Sequence, residues 1–188
     1  MKKVVSFAVL FCLLSTVLSA QDNEDGEEPT KGFDRSKLFG GGNFGLGFGS
    51  SNTFINISPQ LGYRFTDHVA AGAGVNFIYN KVNFGGIEDK LGFAGLNVFG
   101  RLYPLKYIIL HAQPELNYSW GKFKDLGNNI TQKYEGKFIP SMLVGGGANI
   151  PTGGNGAFTI MYLYDLVDDA RSPYSTNPFI SFGFNFGF

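Results

Sequence analysis

The sequence predicts an all-β fold, an eight-stranded antiparallel up-and-down β-barrel that crosses a membrane. Three observations predict it. First, the 188 residues include 27 glycines, 20 phenylalanines and nine tyrosines, whereas charged side chains make up only 16%. Glycine is poor helix material, and Phe and Tyr suit strands, so composition favours many short strands. Second, from residue 38 onward apolar residues alternate with small or polar ones, segment after segment, with turn-forming clusters between them. Third, the polar faces of these segments carry Gly, Asn, Ser and Gln rather than Lys and Glu. The formal charge of zero excludes a strongly basic nucleic-acid binder. A single cysteine, Cys12, excludes a disulfide and a thiolate metal cluster.

Residues 1–20 read as a cleaved secretory signal. Lys2 and Lys3 give the positive start, Val4 to Leu14 is an apolar run too short to span a bilayer, and Ser19-Ala20 supply small residues at the cut. Cys12 follows Leu10-Phe11, which is not a lipidation signal. Removal of the leader leaves thirteen basic against fifteen acidic side chains, a formal charge of −2. Residues 21–37 follow as an acidic, disordered tail, with five acids between Gln21 and Pro29 and no apolar side chain among them.

The barrel is expected over 38–188. In 38–49, Leu38, Phe44, Leu46 and Phe48 share one face, and the other is mostly glycine with Asn43. In 53–65, Ile55, Ile57, Leu61, Tyr63 and Phe65 oppose Asn56, Ser58, Gln60, Gly62 and Arg64. In 69–80, Val69 through Tyr79 at odd positions oppose Gly72, Gly74 and Asn76. Segment 91–103 sets Ala94, Leu96, Val98 and Leu102 against Asn97 and Arg101, with Phe93, Phe99 and Tyr103 on the polar side. Segment 108–120 sets Leu110, Ala112, Leu116, Tyr118 and Trp120 against His111, Gln113, Glu115, Asn117 and Ser119. Segments 138–150 and 157–166 have weaker phase, the second placing Phe158, Ile160, Tyr162 and Tyr164 opposite Thr159 and Asp165. The last segment is cleanest, with Ile180, Phe182, Phe184, Phe186 and Phe188 facing away from Ser181, Gly183, Asn185 and Gly187.

A soluble barrel would bury the apolar face and show water a surface rich in Lys and Glu, which this sequence lacks. The apolar face is therefore expected outward, against lipid, and the glycine-rich polar face inward, filling a narrow bore. Backbone polar groups in a bilayer need partners within the protein, so the strands must close into a cylinder. Strands of this length, at about 3.3 Å per residue and tilted near 40°, cross a band of about 25 Å. Connections 66–68, 104–107 and 151–156 are short and expected on the periplasmic side. Segments 81–90, 121–136 and 167–177 are expected as longer outer loops, and Ser50-Ser51-Asn52 is an unusually brief one. Both termini then lie in the periplasm. Tyr63, Phe65, Tyr79, Tyr118, Trp120 and Tyr164 fall near strand ends, as an interfacial girdle would. Prolines 59, 114 and 140 lie within strands and predict bulges or gaps.

The leader, the eight alternating strands, the stretch Asn97-Val98-Phe99-Gly100-Arg101-Leu102-Tyr103-Pro104 and the ending Phe182-Gly183-Phe184-Asn185-Phe186-Gly187-Phe188 resemble the small bacterial outer-membrane β-barrel domain family, of the OmpX and OmpA barrel kind. The resemblance covers about 38–188. It implies residence in the outer membrane of a Gram-negative bacterium, in contact with outer-membrane lipids and lipopolysaccharide. It also implies that Phe184, Phe186 and Phe188 form the signal read by the barrel assembly machinery. It does not imply a particular activity.

The expected role is structural or one of cell-surface interaction, with the bore plugged by side chains; a small-solute or hydrophobic-ligand conduit and a lipid-modifying hydrolase are the alternatives. No enzyme is expected. His111 and Glu115 share a face but lie roughly 13 Å apart along one strand. Ser141 should pair near Glu115, and no nucleophile, base and orienting acid come together. No metal site or cofactor is expected: His68 sits in a solvated turn, and Gly40-Gly41-Gly42 and Gly145-Gly146-Gly147 lack the Lys and helix start of a phosphate loop. Arg64, Arg101, His111 and Glu115 are the candidate charge network of the bore, because buried charges need partners. Loops 121–136 and 167–177 are candidate surface-binding elements for an unknown ligand or envelope protein, and the sequon at Asn129-Ile130-Thr131 is given no weight.

Overall fold

A computed structural model describes residues 34–174 and 178–187. Its strands are β1 (Leu38–Phe48), β2 (Asn52–Arg64), β3 (Val69–Phe84), β4 (Ile87–Leu105), β5 (Ile108–Asp125), β6 (Ile130–Gly153), β7 (Gly156–Asp165) and β8 (Phe179–Gly187). Each pairs antiparallel with its sequence neighbours, and β1 also pairs with β8, closing the cylinder. The fold is thus an all-β, closed eight-stranded antiparallel barrel, the architecture of the family that the sequence resembles. The proposed leader, most of the acidic tail and Phe188 lie outside the described residues. Of segment 21–37, Arg35–Lys37 form one 3₁₀ turn capped by Asp34, whose carboxylate accepts from the Ser36 backbone N–H at 3.0 Å.

The two-residue alternation sorts the side chains as expected. Phe182 is 57% exposed on the outside, while its neighbour Ser181 is 8% exposed on the inside. Phe44, Leu61, Phe77, Leu96, Leu116 and Ile160 are exposed on the outer face, and Gln60, Asn76, Asn97, Arg101, His111, Gln113, Glu115 and Asn117 are buried on the inner one. The bore is divided lengthwise. Strands β2 to β5 supply its polar side, whereas Ile109, Leu143, Met161 and Leu163 form an apolar cluster at the β5 to β7 side together with Phe39, Phe99 and Tyr103. The weak phase of segments 138–150 and 157–166 follows from this: with apolar residues on both faces, alternation of polarity vanishes while alternation of direction persists.

Two expected outer loops are strand instead. β3 and β4 stay paired to Phe84↔Ile87 around Gly85-Gly86, both at positive φ (58° and 83°), the backbone of a two-residue hairpin. β5 and β6 stay paired to Asp125↔Ile130. Backbone pairing continues beyond the apolar band here, where lysines replace the outward apolar residues and erase the sequence signal. Two of the three prolines open the gaps expected of them. Pro59 and Pro114 open two-residue gaps in the ladders to β3 and β4 without a change of register, and Pro140 stays in register with Leu116. Irregular register occurs instead between Leu102 and Leu105, Ser119 and Gly121, and Pro151 and Gly153.

Candidate functional site

Every second residue of β5 from His111 to Asn117 points into the bore, and each meets a polar residue from a facing strand. Arg101 on β4 is the direct register partner of His111, and Asn97 that of Glu115. The Arg101 and Glu115 levels are therefore four residues apart along the strands, too far for an ion pair. Carboxamides bridge them. Arg101 Nη2 donates to Gln60 Oε1 at 2.7 Å, Gln60 Nε2 to Gln113 Oε1 at 2.8 Å, and Gln113 Nε2 to Glu115 Oε2 at 3.0 Å. Every donor points toward the carboxylate, so the two amide dipoles line up between the cation and the anion. Such aligned chains strengthen each bond in a low-dielectric interior.

The rest of the network saturates both ends. Glu115 also accepts from Asn76 Nδ2 at 2.8 Å and Asn117 Nδ2 at 2.7 Å. Asn76 Oδ1 in turn accepts from Asn97 Nδ2 at 2.6 Å. Arg101 Nη1 reaches Asn185 Oδ1 on β8 at 2.9 Å. Its Nε lies 3.4 Å from His111 Nδ1, which must therefore accept, leaving Nε2–H to donate to Gln113 Oε1 at 3.1 Å. This arrangement holds His111 as the neutral Nε2–H tautomer. The guanidinium of Arg101 is flanked by Phe99 at 4.4 Å and Phe39 at 5.9 Å from the ring centroids. Inner-face glycines make room for these rings: a Cβ at Gly62 would clash with the tip of the Phe39 ring, and one at Gly72 would meet the Phe99 ring edge at 2.6 Å.

Of the four charged residues singled out in the sequence, the structure brings Arg101, His111 and Glu115 into one network. It sets Arg64 apart, over the Tyr103 ring at 5.5 Å, beside Lys106 and His68 in a ≈ 650 Å³ recess at the barrel end that carries the strand termini. Gln60, Asn76, Asn97, Gln113, Asn117 and Asn185 complete the network and were legible only as members of polar faces. For Gln113 and Asn117 the signal was their spacing of two on either side of Glu115.

At the other end, the described part of segment 167–177, residues 167–174, does not stand clear of the barrel. Ser172 is buried and donates to Asp165 Oδ2 at 2.9 Å. Tyr174 stacks on Phe179 at 4.6 Å, packs against Ile78, Phe93 and Ile139, and presents its hydroxyl to Glu115. Ser141 is the register partner of Glu115 and lies 3.4 Å from the Ser172 hydroxyl. His111 approaches neither serine among the hydrogen bonds of the described residues. No three His, Cys, Asp or Glu residues among the described ones converge as a metal-binding set.

The ladder between β1 and β8 ends at Asn43↔Gly183. Above it the wall has a ≈ 340 Å³ recess lined by Phe44, Leu46, Phe54, Ile78, Tyr174 and Phe179 among others. Farther out, on the β3–β4 hairpin, Glu88 forms ion pairs with Lys81 at 2.8 Å and Lys90 at 2.7 Å. Hydrogen bonds from these two ammonium groups hold the Glu88 carboxyl down at about 2.

No protein-family model matches the chain, and no curated protein matches it. Among solved structures the chain is similar to the crystal structure of Ail, the attachment invasion locus protein of Yersinia pestis. The two are 16% identical with a TM-score of 0.40, and the match covers 79% of this chain and 90% of that one.

Proposed function

We propose that the chain is an integral outer-membrane β-barrel whose bore is closed by its own side chains and which serves the cell envelope as a structural or surface-interaction protein, without catalysis. One observation carries this reading: an apolar outer face on every strand around an inner face that holds Arg101, His111 and Glu115. A soluble protein does not present so continuous an apolar surface to water, and lipid is the medium that suits it. The hydrogen-bonded bore and the inward turn of Ser172 and Tyr174 support a closed lumen. Both termini face the periplasm, outer-membrane lipids surround the barrel, and Phe184, Phe186 and Phe188 address it to the barrel assembly machinery. The test is Phe182→Lys, mid-strand on the outer face, in equilibrium urea unfolding from lipid vesicles. A membrane-spanning barrel loses about 2–4 kcal/mol for a lysine deep in the bilayer. An unchanged stability refutes lipid contact, and steady single-channel conductance in a planar bilayer refutes the closed bore.

The recess at the β1–β8 seam favours a second reading, a site for a hydrophobic ligand entering from the bilayer. Its apolar lining and the absence of a ladder above Asn43 support that reading. Quenching of Trp120 fluorescence does not report on this side of the wall, so a brominated fatty acid located crystallographically is the direct check.

A further inference from the structure

The recess at the barrel end that carries the strand termini has a volume of ≈ 650 Å³ and sets three cations, Lys37, Arg64 and Lys106, against one carboxylate, Asp67. That volume falls within the range of about 300–1,000 Å³ usual for small-ligand sites. Arg64 ends β2 on the same face as Gln60, so its stem starts inside the cylinder. The guanidinium lies over the Tyr103 ring at 5.5 Å, a stacking that leaves the N–H groups at its edge free. Among the described residues no carboxylate comes within ion-pair distance of Arg64, and no hydrogen bond engages its guanidinium.

Asn185 supplies a second unengaged donor to the same recess. Its Oδ1 accepts from Arg101 Nη1 at 2.9 Å, which turns Nδ2 the other way, and that Nδ2 has no acceptor among the described residues. The bore adds a field to these donors. Arg101 stands behind Asn185, and its counter-charge Glu115 lies four residues farther along the strands. The cationic end of the relay therefore faces the recess, and the low-dielectric walls focus that potential in its mouth.

Such a site selects an oxyanion, and the remaining lining says what the oxyanion is attached to. A lone arginine fork suits one carboxylate held through two parallel hydrogen bonds. Asn149 and Asn155 add carboxamides that both donate and accept, as a peptide group requires, while Phe39, Tyr103 and Pro151 supply apolar wall. Inorganic phosphate has use for neither. We propose that this recess binds an acidic peptide of the periplasm, one carboxylate held by Arg64 and Asn185 and the neighbouring amide groups by Asn149 and Asn155. This rests on the reading that the end carrying the termini faces the periplasm. A barrel with a closed bore then has a task on its inner side, tethering a periplasmic peptide to the outer membrane.

The experiment is calorimetric titration of the full chain folded in detergent micelles. The probes are the peptide Ala-Glu-Ala, the same peptide with both carboxyl groups amidated, and inorganic phosphate. Wild type should bind the acidic peptide and not the amidated one. Arg64→Gln should bind it at least about tenfold more weakly, a loss on the order of one charge-assisted hydrogen bond. Arg64→Lys should fall in between, because a point charge replaces the fork. Lys122→Gln, on the ribbon at the opposite end, should bind as wild type does. Arg64 stands outside the bore network, so all three variants should unfold at the wild-type temperature. Absence of binding by wild type, equal binding by Arg64→Gln, equal binding of the amidated peptide, or displacement of the peptide by equimolar phosphate overturns the proposal; the amide and phosphate arms need wild type alone. Orientation is read separately, from Asp67→Cys in the turn beside the recess. A maleimide that does not cross membranes should label it only in permeabilised cells. Labelling in intact cells overturns the periplasmic reading and the proposal with it, whereas the expected labelling without peptide binding overturns the recess site alone.

Discussion

Glu115→Ala is the sharpest probe of the bore. The carboxylate accepts from Asn76 at 2.8 Å, Gln113 at 3.0 Å and Asn117 at 2.7 Å, and it is also the partner of the Tyr174 hydroxyl. Asn76 Nδ2 retains Asn117 Oδ1 at 3.2 Å, and the Tyr174 ring borders the seam recess, where its hydroxyl can turn. Gln113 Nε2 and Asn117 Nδ2 have no other acceptor in the network and would be stranded. A buried donor without a partner costs about 1–3 kcal/mol, so the truncation should cost about 2–6 kcal/mol. It also leaves Arg101 at the far end of the carboxamide relay without its counter-charge. Glu115→Gln keeps one acceptor and the shape, and a turn of the Asn117 amide can re-pair the other side. Its cost should be clearly smaller, about 1–2 kcal/mol. The assay is urea unfolding from lipid vesicles followed by Trp120, the only tryptophan of the chain, which sits 40% exposed on the outer wall and leaves the barrel surface on unfolding. Stabilities of Ala and wild type within about 0.5 kcal/mol, or a Gln variant weaker than Ala, would show that Glu115 does not anchor the relay.

Two further outcomes follow from particular contacts. Gly62→Ala drives a methyl group against the tip of the Phe39 ring, so Phe39 must leave its place beside Arg101, at a cost of about 1–3 kcal/mol for overpacking; a smaller folded fraction on unheated gels is the readout, and Gly100→Ala, with open space around it, is the matched control. The Glu88 carboxyl is depressed from 4.5 to about 2 in the fold, so its contribution is complete above its ordinary value and fades as pH falls from about 4.5 towards 2. Amide exchange in the β3–β4 hairpin should accelerate over that window in wild type, and Glu88→Gln should remove the pH dependence.

Much of the barrel was legible because strand geometry imposes a period of two whatever the surroundings. Residues 110–120 of β5 and 180–187 of β8 are the plainest cases: in each, one face is mostly aliphatic or aromatic and the other holds His, Gln, Glu, Asn, Ser or Gly. The reading weakened where polarity stopped tracking direction. In β7, Met161 and Leu163 point inward as surely as Thr159 does, yet nothing in their chemistry says so. In 81–90 and 121–136 the outward positions turn to lysine, and a paired ribbon looks like a loop.

The network illustrates the same limit. Arg101, His111 and Glu115 stood out as charges that need partners, but a sequence could not say that two glutamines from different strands would carry the link between them. Nor could it say that Arg64 would lie outside the network, or that Tyr174 would turn inward from its connection.

By itself the sequence determined the strand count and, for the strands whose faces differ in polarity, the sidedness of the strand and the polarity of each face, because those depend only on the alternation of neighbours along one chain. Register and closure decided everything that joins strands: the relay from Arg101 through Gln60 and Gln113 to Glu115, and the short ladder at the β1–β8 seam. Those contacts depend on how far one strand slides past the next, and sliding by two residues leaves every face unchanged while giving each side chain a different partner.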